Sequence, residues 1–233
     1  MNLSHIHVEY PFTYGLMALI TLVYFGTMGN PQIADNLLFS SFQIRKNKQY
    51  YRILSPALIH GGIIHLVMNG IGIYYFGPVI EQFFGAFWSW IIFILSVAGG
   101  SLLPLWVRRE DSDYQAVGAS GGVSGLIMVG MFLYPDMQIG LMLFPVMIPA
   151  WIFGIIYTLG SIVLTQTTDR NRISHEGHLG GLLFGGMFAH YFLPSENLGE
   201  KQIYMWYFAI LPIVLFVIAQ SVFPQYFYKR RGQ

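Results

Sequence analysis

The sequence contains no cysteine, and only 10% of its 233 residues are charged. Without cysteine the chain can form no disulfide framework, thiolate nucleophile or cysteine-ligated metal site. The formal net charge is +1 and the few basic residues are scattered among loops, which argues against a nucleic-acid-binding surface. The N-terminus also lacks a basic region followed by a small-residue cleavage site, so we expect no cleaved signal peptide.

Hydrophobic residues are instead abundant, at 55% of the chain, and the mean hydropathy is +0.54. Aromatic residues account for 17%, which suits a chain with many membrane–water interfaces. This composition is typical of a polytopic membrane protein. We predict an all-α membrane helical bundle that forms a single domain over residues 1–233. The candidate membrane spans are seven apolar segments at about 11–28, 62–80, 84–107, 117–134, 139–165, 176–193 and 203–224.

One stretch, GASGGVSG at residues 118–125, holds four glycines and two serines at the start of the fourth span. Its glycines form pairs four residues apart, and small residues at that spacing let a neighbouring helix approach closely in lipid. Ser120 at the mouth of such a helix is either a packing residue or a nucleophile. Helix packing is sufficient to explain this stretch when it is taken alone.

A second glycine-rich stretch, SHEGHLGG at residues 174–181, begins the sixth span. At about 100° per residue, His178 shares a helix side with Gly181 and Gly185. Two glycine-lined helices in contact would bring the Ser120 hydroxyl within reach of this imidazole. An activated serine needs such a neighbour, because the free hydroxyl is a weak nucleophile without an adjacent base.

Both stretches match family motifs. GASG at residues 118–121 resembles the GxSG nucleophile motif of the rhomboid intramembrane serine proteases. GHLGG at residues 177–181 is similar to that family's AHxxG-type motif, with Gly177 in place of the usual alanine. The second span is similar to the family in its His…His-x-x-x-Asn run, in an aromatic–Arg pair before it and in its G-x-x-x-E ending. These motifs comprise His60, His65, Asn69, Tyr51, Arg52, Gly77 and Glu81.

The resemblance implies a rhomboid-like six-helix core at about residues 11–193, followed by one C-terminal transmembrane helix at about 203–224. It also implies an intramembrane serine endopeptidase that hydrolyses peptide bonds in or near transmembrane segments of membrane proteins. Its partners would be transmembrane protein substrates and membrane lipids, with no cofactor, no metal and no nucleic acid. We expect a multi-pass integral membrane location, in a bacterial cell membrane.

Ser120 and His178 form the catalytic dyad in this interpretation. The Ser120 hydroxyl attacks the scissile carbonyl, and His178 takes its proton and returns it to the leaving amine. Backbone N–H groups at the start of the helix and two side-chain donors would stabilise the oxyanion. The residues predicted for this role are Asn69, His65 and Gly118. His60 is a candidate for the substrate mouth.

The position four residues after the nucleophile departs from the family pattern. Many rhomboids carry an aromatic residue there, which packs against the catalytic histidine, and this chain has Ser124. We expect His178 to be held instead by a neighbouring helix, or Ser124 itself to form a hydrogen bond nearby. Glu176 points to a different helix side from His178, so a dyad is simpler than a triad. His175 is expected to be interfacial.

Other functions compete with proteolysis. A catalytically inactive rhomboid-like protein could bind membrane helices, although such relatives typically lack the serine or the histidine. A membrane metal site is a further alternative, because Zn²⁺ accepts imidazole ligands readily. Its ligands would be His60, His65, His175 and His178. Glu176 is the only acid close by, and a metal would leave the glycine pattern and Asn69 unexplained. Asn69 and His65 also have a purely structural alternative, as partners in hydrogen bonds between helices.

The distribution of basic residues and the family resemblance predict opposite orientations in the membrane. The basic residues are concentrated on the side that carries both glycine-rich motifs, so the positive-inside rule places that side in the cytoplasm. They are Arg45, Lys46, Lys48, Arg52, Arg108, Arg109, Arg170, Arg172, Lys229, Arg230 and Arg231, with Lys201 alone on the opposite side. The family resemblance implies the reverse, with the mouth of the site outside the cytoplasm, and we adopt that orientation. Glu81 is a candidate partner that would make Arg52 a structural charge.

Overall fold

The computed structural model describes residues 9–109, 111, 113–140, 147–165, 173–193 and 199–223. Over these residues the chain is mainly helical, as predicted. The α-helices are α1 (Pro11–Thr27), α2 (Pro31–Leu37), α3 (Ser41–Asn47), α4 (Ile63–Val107), α5 (Ser120–Leu133), α6 (Ala150–Leu164), α7 (His175–Phe192), α8 (Glu200–Met205) and α9 (Leu211–Val222). A π-helical stretch, Trp206–Ile210, makes α8 and α9 one continuous run. Two 3₁₀ turns, Tyr50–Ile53 and Ser55–Leu58, precede α4.

Two short antiparallel ladders interrupt the helices, and the all-α prediction missed both. In the first, β1 (Phe39–Ser40) pairs with β2 (Gln115–Ala116), which ties the segment between α2 and α3 to the loop before α5. In the second, β3 (Gln138–Gly140) pairs with β4 (Met147–Pro149).

The fifth predicted span is wrong in its first part. It was expected to begin at about residue 139, but α6 begins only at Ala150, directly after β4. Pro149 supplies the physical reason, because proline has no N–H for a helix and favours an extended conformation in the residue before it. An apolar segment that contains such a proline is therefore divided between strand and helix.

Helix α4 covers 45 residues but is broken at Gly85, whose φ of 78° lies in the left-handed region that favours glycine. The part before the break, residues 63–84, is α4a, and the part after it, residues 86–107, is α4b. An unbroken helix of this length would be about 68 Å long, roughly twice the hydrocarbon core of a bilayer. The break lies close to the predicted gap between the second and third spans.

The two parts of α4 run in opposite directions beside α5. In chain order, the contact pairs with α4a are His65–Gly118, Gly72–Val123 and Phe76–Gly130, and those with α4b are Ser96–Gly125 and Gly100–Gly121. Along α4a, higher residue numbers contact higher residue numbers of α5. Along α4b, higher residue numbers contact lower residue numbers of α5. Helix α4a is therefore parallel to α5 and α4b is antiparallel to it, so α4 is a hairpin that turns at Gly85.

Helix α5 is the centre of the bundle. Most of its side chains are buried, and Leu126, Met128 and Val129 have no exposed surface. The helices that surround it are α4a, α4b, α6 and α7. A helix that is apolar on all sides is expected to be buried on all sides. The first residue of α5, Ser120, is therefore fixed by packing around the whole helix.

Helix α7 packs on α5 through glycines, as the four-residue spacing predicts. Gly181 lies over Gly121, and Gly185 lies over Gly125; these four residues are the glycine seam. A Cβ atom on Gly181 would lie 1.9 Å from the carbonyl oxygen of Gly121, so no side chain fits there. The two backbones are in direct contact, and this contact sets the distance between the starts of the two helices.

The N-terminus of α1 is held by Glu81, which is buried near the end of α4a. Its carboxylate accepts hydrogen bonds from the N–H groups of Phe12 at 2.7 Å and Thr13 at 3.0 Å, and from the Thr13 hydroxyl at 2.9 Å. A carboxylate at this point satisfies unpaired helix N–H groups and complements the helix dipole. The suggested pairing of Glu81 with Arg52 is wrong, because Arg52 donates to backbone carbonyl oxygens at the end of α2.

Helix α4 and the continuous run Glu200–Val222 are each long and apolar enough to cross a membrane. Helices α1, α5 and α6 are also apolar but shorter, at 10–17 residues. Length and composition therefore agree with a membrane bundle.

Candidate active site

A cavity of about 700 Å³ lies among α4a, α5, α6 and α7. Its wall contains both members of the predicted dyad, Ser120 and His178, together with His65 and Asn69. These side chains come from three helices that are far apart in the sequence. The fold therefore brings a hydroxyl, imidazoles and an amide to the wall of one cavity.

Ser120 is the first residue of α5, and it is half-buried. The first N–H groups of an α-helix have no partner within the helix. Along α5, Val123 is the residue whose N–H donates back to the carbonyl oxygen of Ala119, at 3.0 Å. The unpaired N–H groups before it and the helix dipole both favour negative charge next to Ser120. The candidate nucleophile is therefore placed where a developing oxyanion would be stabilised.

Gly118, predicted as an oxyanion donor, has its N–H engaged in the loop. This N–H donates to the carbonyl oxygen of Pro56 at 2.9 Å. The Gly118 φ of 117° lies in the left-handed region, and a Cβ atom there would lie 2.4 Å from the ring of His65. Glycine is therefore needed at this position both for the backbone conformation and for the contact with His65.

His178 lies near the start of α7, and its Nε2 is buried. Within the described part of the chain, this nitrogen makes no hydrogen bond, so the Ser120 hydroxyl shares the cavity without bonding to it. Catalytic hydrogen bonds of this kind often tighten only when substrate is bound. The arrangement leaves the Nε2 of His178 free to accept a proton.

The ring of His178 stacks on Tyr157 of α6, with 5.9 Å between ring centroids and 22° between planes. The Tyr157 hydroxyl is 2.8 Å from that of Ser124, and Ser124 donates to the carbonyl oxygen of Ser120 at 2.7 Å. Both expectations for His178 are met, since a neighbouring helix holds the ring and Ser124 forms hydrogen bonds nearby. Sequence reasoning missed Tyr157, because nothing in the pattern distinguishes it among 15 tyrosines.

Asn69 is 4% exposed, and among the described residues its Nδ2 has no hydrogen-bond partner. A buried donor in this state costs about 1–3 kcal/mol, which is why such groups are rare. The structural alternative would have this amide donate a hydrogen bond between helices, and it does not. An unpartnered donor in the wall beside Ser120 is instead suited to a ligand oxygen.

The four histidines of the metal alternative form two edge-to-face pairs. His60 and His65 are 5.2 Å apart between ring centroids, and His175 and His178 are 5.3 Å apart. No group of three or more side chains able to hold a metal ion occurs among the described residues. Burial, with a contribution from His65, lowers the pKa of His60 to about 3, so His60 is neutral at physiological pH.

His175 and His60 differ in their relation to the cavity. His175, expected to be interfacial, is one of the residues in the cavity wall. Among the described residues, His60 is not part of that wall, but its ring contacts His65, which is. Its role at a substrate mouth therefore stays a prediction.

The start of α7 is anchored outside the cavity by an ion pair between the partly buried Arg108 and the buried Glu176. Glu176 is 2% exposed and accepts a hydrogen bond from the Nε of Arg108 at 2.7 Å. The Tyr114 hydroxyl lies 2.6 Å from the Oγ of Ser174, which caps α7 by accepting from the N–H of Gly177 at 2.8 Å. Because Glu176 is engaged by Arg108, it does not orient the imidazole, in agreement with a dyad. The sequence hint for the pairing of Arg108 with Glu176 is that a carboxylate beside an apolar span needs a partner.

A family model described as "Rhomboid domain" matches residues 47–195, which include every candidate site residue. RHOMBOID-like protein 12, mitochondrial, of Arabidopsis thaliana is 29% identical over 167 residues, 65% of this chain and 49% of that protein. Rhomboid protease GluP of Bacillus subtilis is 28% identical over 183 residues, 76% of this chain and 34% of that protein. Rhomboid protein 1, mitochondrial, of Saccharomyces cerevisiae is 28% identical over 156 residues, 64% of this chain and 43% of that protein. The chain thus spans about a third to a half of the length of these relatives.

Proposed function

Because the chain belongs to the rhomboid family, we propose that it is an intramembrane serine endopeptidase that cleaves transmembrane protein substrates. The observation that carries this proposal is that Ser120, His178 and Asn69 line one and the same cavity. Rhomboid proteins are integral membrane proteins, so this chain is placed in a membrane. A bacterial cell membrane stays a prediction, because the relatives include both mitochondrial and bacterial proteins.

In the proposed reaction, the Ser120 hydroxyl attacks the scissile carbonyl carbon while the Nε2 of His178 takes the hydroxyl proton. The resulting oxyanion would accept hydrogen bonds from the first N–H groups of α5 and from the Asn69 amide, with His65 as a second side-chain donor. Collapse of the intermediate leaves an acyl-enzyme, and His178 returns the proton to the leaving amine. Water then attacks the ester by the same route, with His178 again as the base.

We propose seven membrane spans, which are α1, α4a, α4b, α5, α6, α7 and the run Glu200–Val222. Helix α5 has 14 residues and therefore extends about 21 Å. If its far end reaches the membrane surface, Ser120 lies roughly 9 Å below the opposite surface of the hydrocarbon core. The scissile bond would then be attacked inside the membrane, and water would enter from the side where α5 and α7 begin.

We propose that this side faces away from the cytoplasm, as in the family topology. The bias of basic residues toward it argues for the reverse, but part of that bias has a structural cause. Arg52 donates to backbone carbonyl oxygens, and Arg108 pairs with Glu176. The basic residues of this side that lie outside the described residues are Arg170, Arg172, Lys229, Arg230 and Arg231.

The test of this function is cleavage of a single-span membrane protein by the purified chain in liposomes, with mass spectrometry to locate the cut. A fluorophosphonate should stop cleavage and add its mass to the peptide that contains Ser120, because such reagents need an activated serine. A metal chelator should leave the rate unchanged. Folded protein that neither cleaves nor reacts would support the alternative, a catalytically inactive rhomboid-like protein that binds membrane helices.

Replacement of Asn69 by alanine should lower turnover about 10- to 10³-fold, since one oxyanion donor among several is lost. Thermal stability should change little, because the Nδ2 of Asn69 has no hydrogen bond to lose among the described residues. The measurement is kcat together with the melting temperature of the purified variant. A lower melting temperature with normal specific activity would instead assign Asn69 a structural role.

A further inference from the structure

Tyr157 of α6 contacts both His178 on α7 and Ser124 on α5. From α6 its ring stacks on His178, with 5.9 Å between centroids and 22° between planes. Its hydroxyl lies 2.8 Å from that of Ser124, which has no exposed surface. Ser124 donates to the carbonyl oxygen of Ser120 at 2.7 Å. A continuous path of contacts therefore runs from the candidate nucleophile to the candidate base through atoms that do not react.

The direction of these hydrogen bonds follows from the number of protons. Ser124 has a single hydroxyl hydrogen, which it gives to the Ser120 carbonyl, so Tyr157 is the donor to Ser124. The ring of Tyr157 also stacks on Phe153, at 5.9 Å and 19°. The phenol is thus held at its oxygen and by a second aromatic ring, and it cannot tilt without losing one of these contacts.

We propose that Ser124 and Tyr157 are positioning residues that fix the imidazole of His178 relative to Ser120. This inference rests on the proposed function of Ser120 and His178 and deepens it. The torsion next to an imidazole has broad preferences, so a histidine ring needs a neighbour to define its plane. On α7 itself, His175 meets the ring only edge-to-face, at 5.3 Å between centroids, and glycines such as Gly181 offer no side chain that could stack on it. The stacked phenol supplies the restraint.

The same geometry explains the small residue at position 124. Ser124 is buried and its hydroxyl touches that of Tyr157, so an aromatic side chain there would collide with the phenol. One ring beside the histidine is enough, and in this chain α6 provides it. The aromatic ring that restrains His178 therefore comes from α6, whereas in many rhomboids it comes from the helix that carries the nucleophile.

The inference is tested with purified variants on one single-span substrate. Tyr157→Leu removes the ring and should lower kcat about 10- to 100-fold with KM within about threefold, because a displaced imidazole loses reaction geometry rather than substrate binding. Tyr157→Phe keeps the ring and should retain kcat within about fivefold. Trp151→Leu, the matched control, removes another aromatic ring from α6 and should behave as wild type. Gel filtration and thermal unfolding confirm that each variant is folded.

A second set of variants tests the bond between the hydroxyls. Ser124→Ala should lower kcat by a few-fold, because the phenol loses its anchor. The double variant Ser124→Ala/Tyr157→Phe should be no slower than the slower single variant, since both changes remove the same hydrogen bond. Losses that multiply in the double variant would show that the two hydroxyls act separately, and would overturn the connection between them.

The outcomes separate this inference from the proposed function. A wild-type protein that neither cleaves nor reacts with a fluorophosphonate overturns both. An active wild type with an equally active Tyr157→Leu variant overturns the positioning role alone. A Tyr157→Leu defect confined to KM does the same, because the ring would then contact substrate. The labelling rate of Ser120 is a readout that needs no substrate, and it should fall in parallel with kcat across the series.

Discussion

Alanine at either Ser120 or His178 should slow cleavage of a transmembrane substrate by at least ~10³-fold, and the double variant should be no slower than either single one. The hydroxyl is a weak nucleophile without a base, and the imidazole has no role in this reaction without the hydroxyl proton. Groups that act as a unit give strongly non-additive losses. The measurement is kcat/KM of purified, monodisperse proteins on one single-span substrate.

Two controls match these substitutions in kind. Ser221→Ala removes a hydroxyl on α9, and His190→Ala removes an imidazole at the far end of α7; both should retain wild-type activity. Activity that survives in His178→Ala and is lost in His175→Ala would identify the neighbouring imidazole as the base. Equal cleavage by wild type and Ser120→Ala would eliminate the serine mechanism.

Valine at Gly181 should leave no measurable activity. Its Cβ would lie 1.9 Å from the carbonyl oxygen of Gly121, and the obstacle is backbone that cannot rotate away. The two helices would have to separate. Ser120 directly precedes Gly121 and His178 lies one turn before Gly181, so the reacting groups would separate with them. A misplacement of about 1 Å costs ~10² in rate even when no catalytic group is altered.

The comparison is specific activity of monodisperse variants, with thermal unfolding measured in parallel. Gly181→Ala should already be impaired, because the clash involves the Cβ itself. Gly26→Val in α1 is the matched control: no atom lies within 4 Å of its Cβ position, and activity should be retained. A fully active Gly181→Val would mean that α5 and α7 do not touch at this level. The pairing of Ser120 with His178 would then lose its structural basis.

The glycine seam and the shared cavity of Ser120 and His178 could be predicted because their signals are local. Each four-residue repeat of glycine lies within one short segment, and Ser120 and His178 each lie within such a segment. Hydropathy likewise located most of the helices. Hydropathy failed at the start of α6, because the average hydropathy of a segment does not show that Pro149 prevents a helix from extending before it.

Pairings between distant segments could not be predicted in the same way. Arg108 and Glu176 are 68 residues apart, and Ser124 and Tyr157 are 33 apart. For each of these residues, the chain offers several partners of the right chemical type, and only the packed bundle selects one. The ring that restrains His178 is an example, since its helix is not the one that a family pattern indicates.

The break at Gly85 has a consequence for biosynthesis. Helices α4a and α4b are joined without a loop, so no segment can remain in water while one helix is inserted and the other is still outside. In the orientation proposed above, the pair would enter the bilayer as a unit, and its turn at Gly85 would stay on the cytoplasmic side, so that Glu81 does not have to cross the apolar core. The hydrogen bond from the N–H of Phe12 to Glu81 would then form at the membrane surface from which these helices are inserted. One carboxylate would therefore join three helices, α1, α4a and α4b, without being translocated.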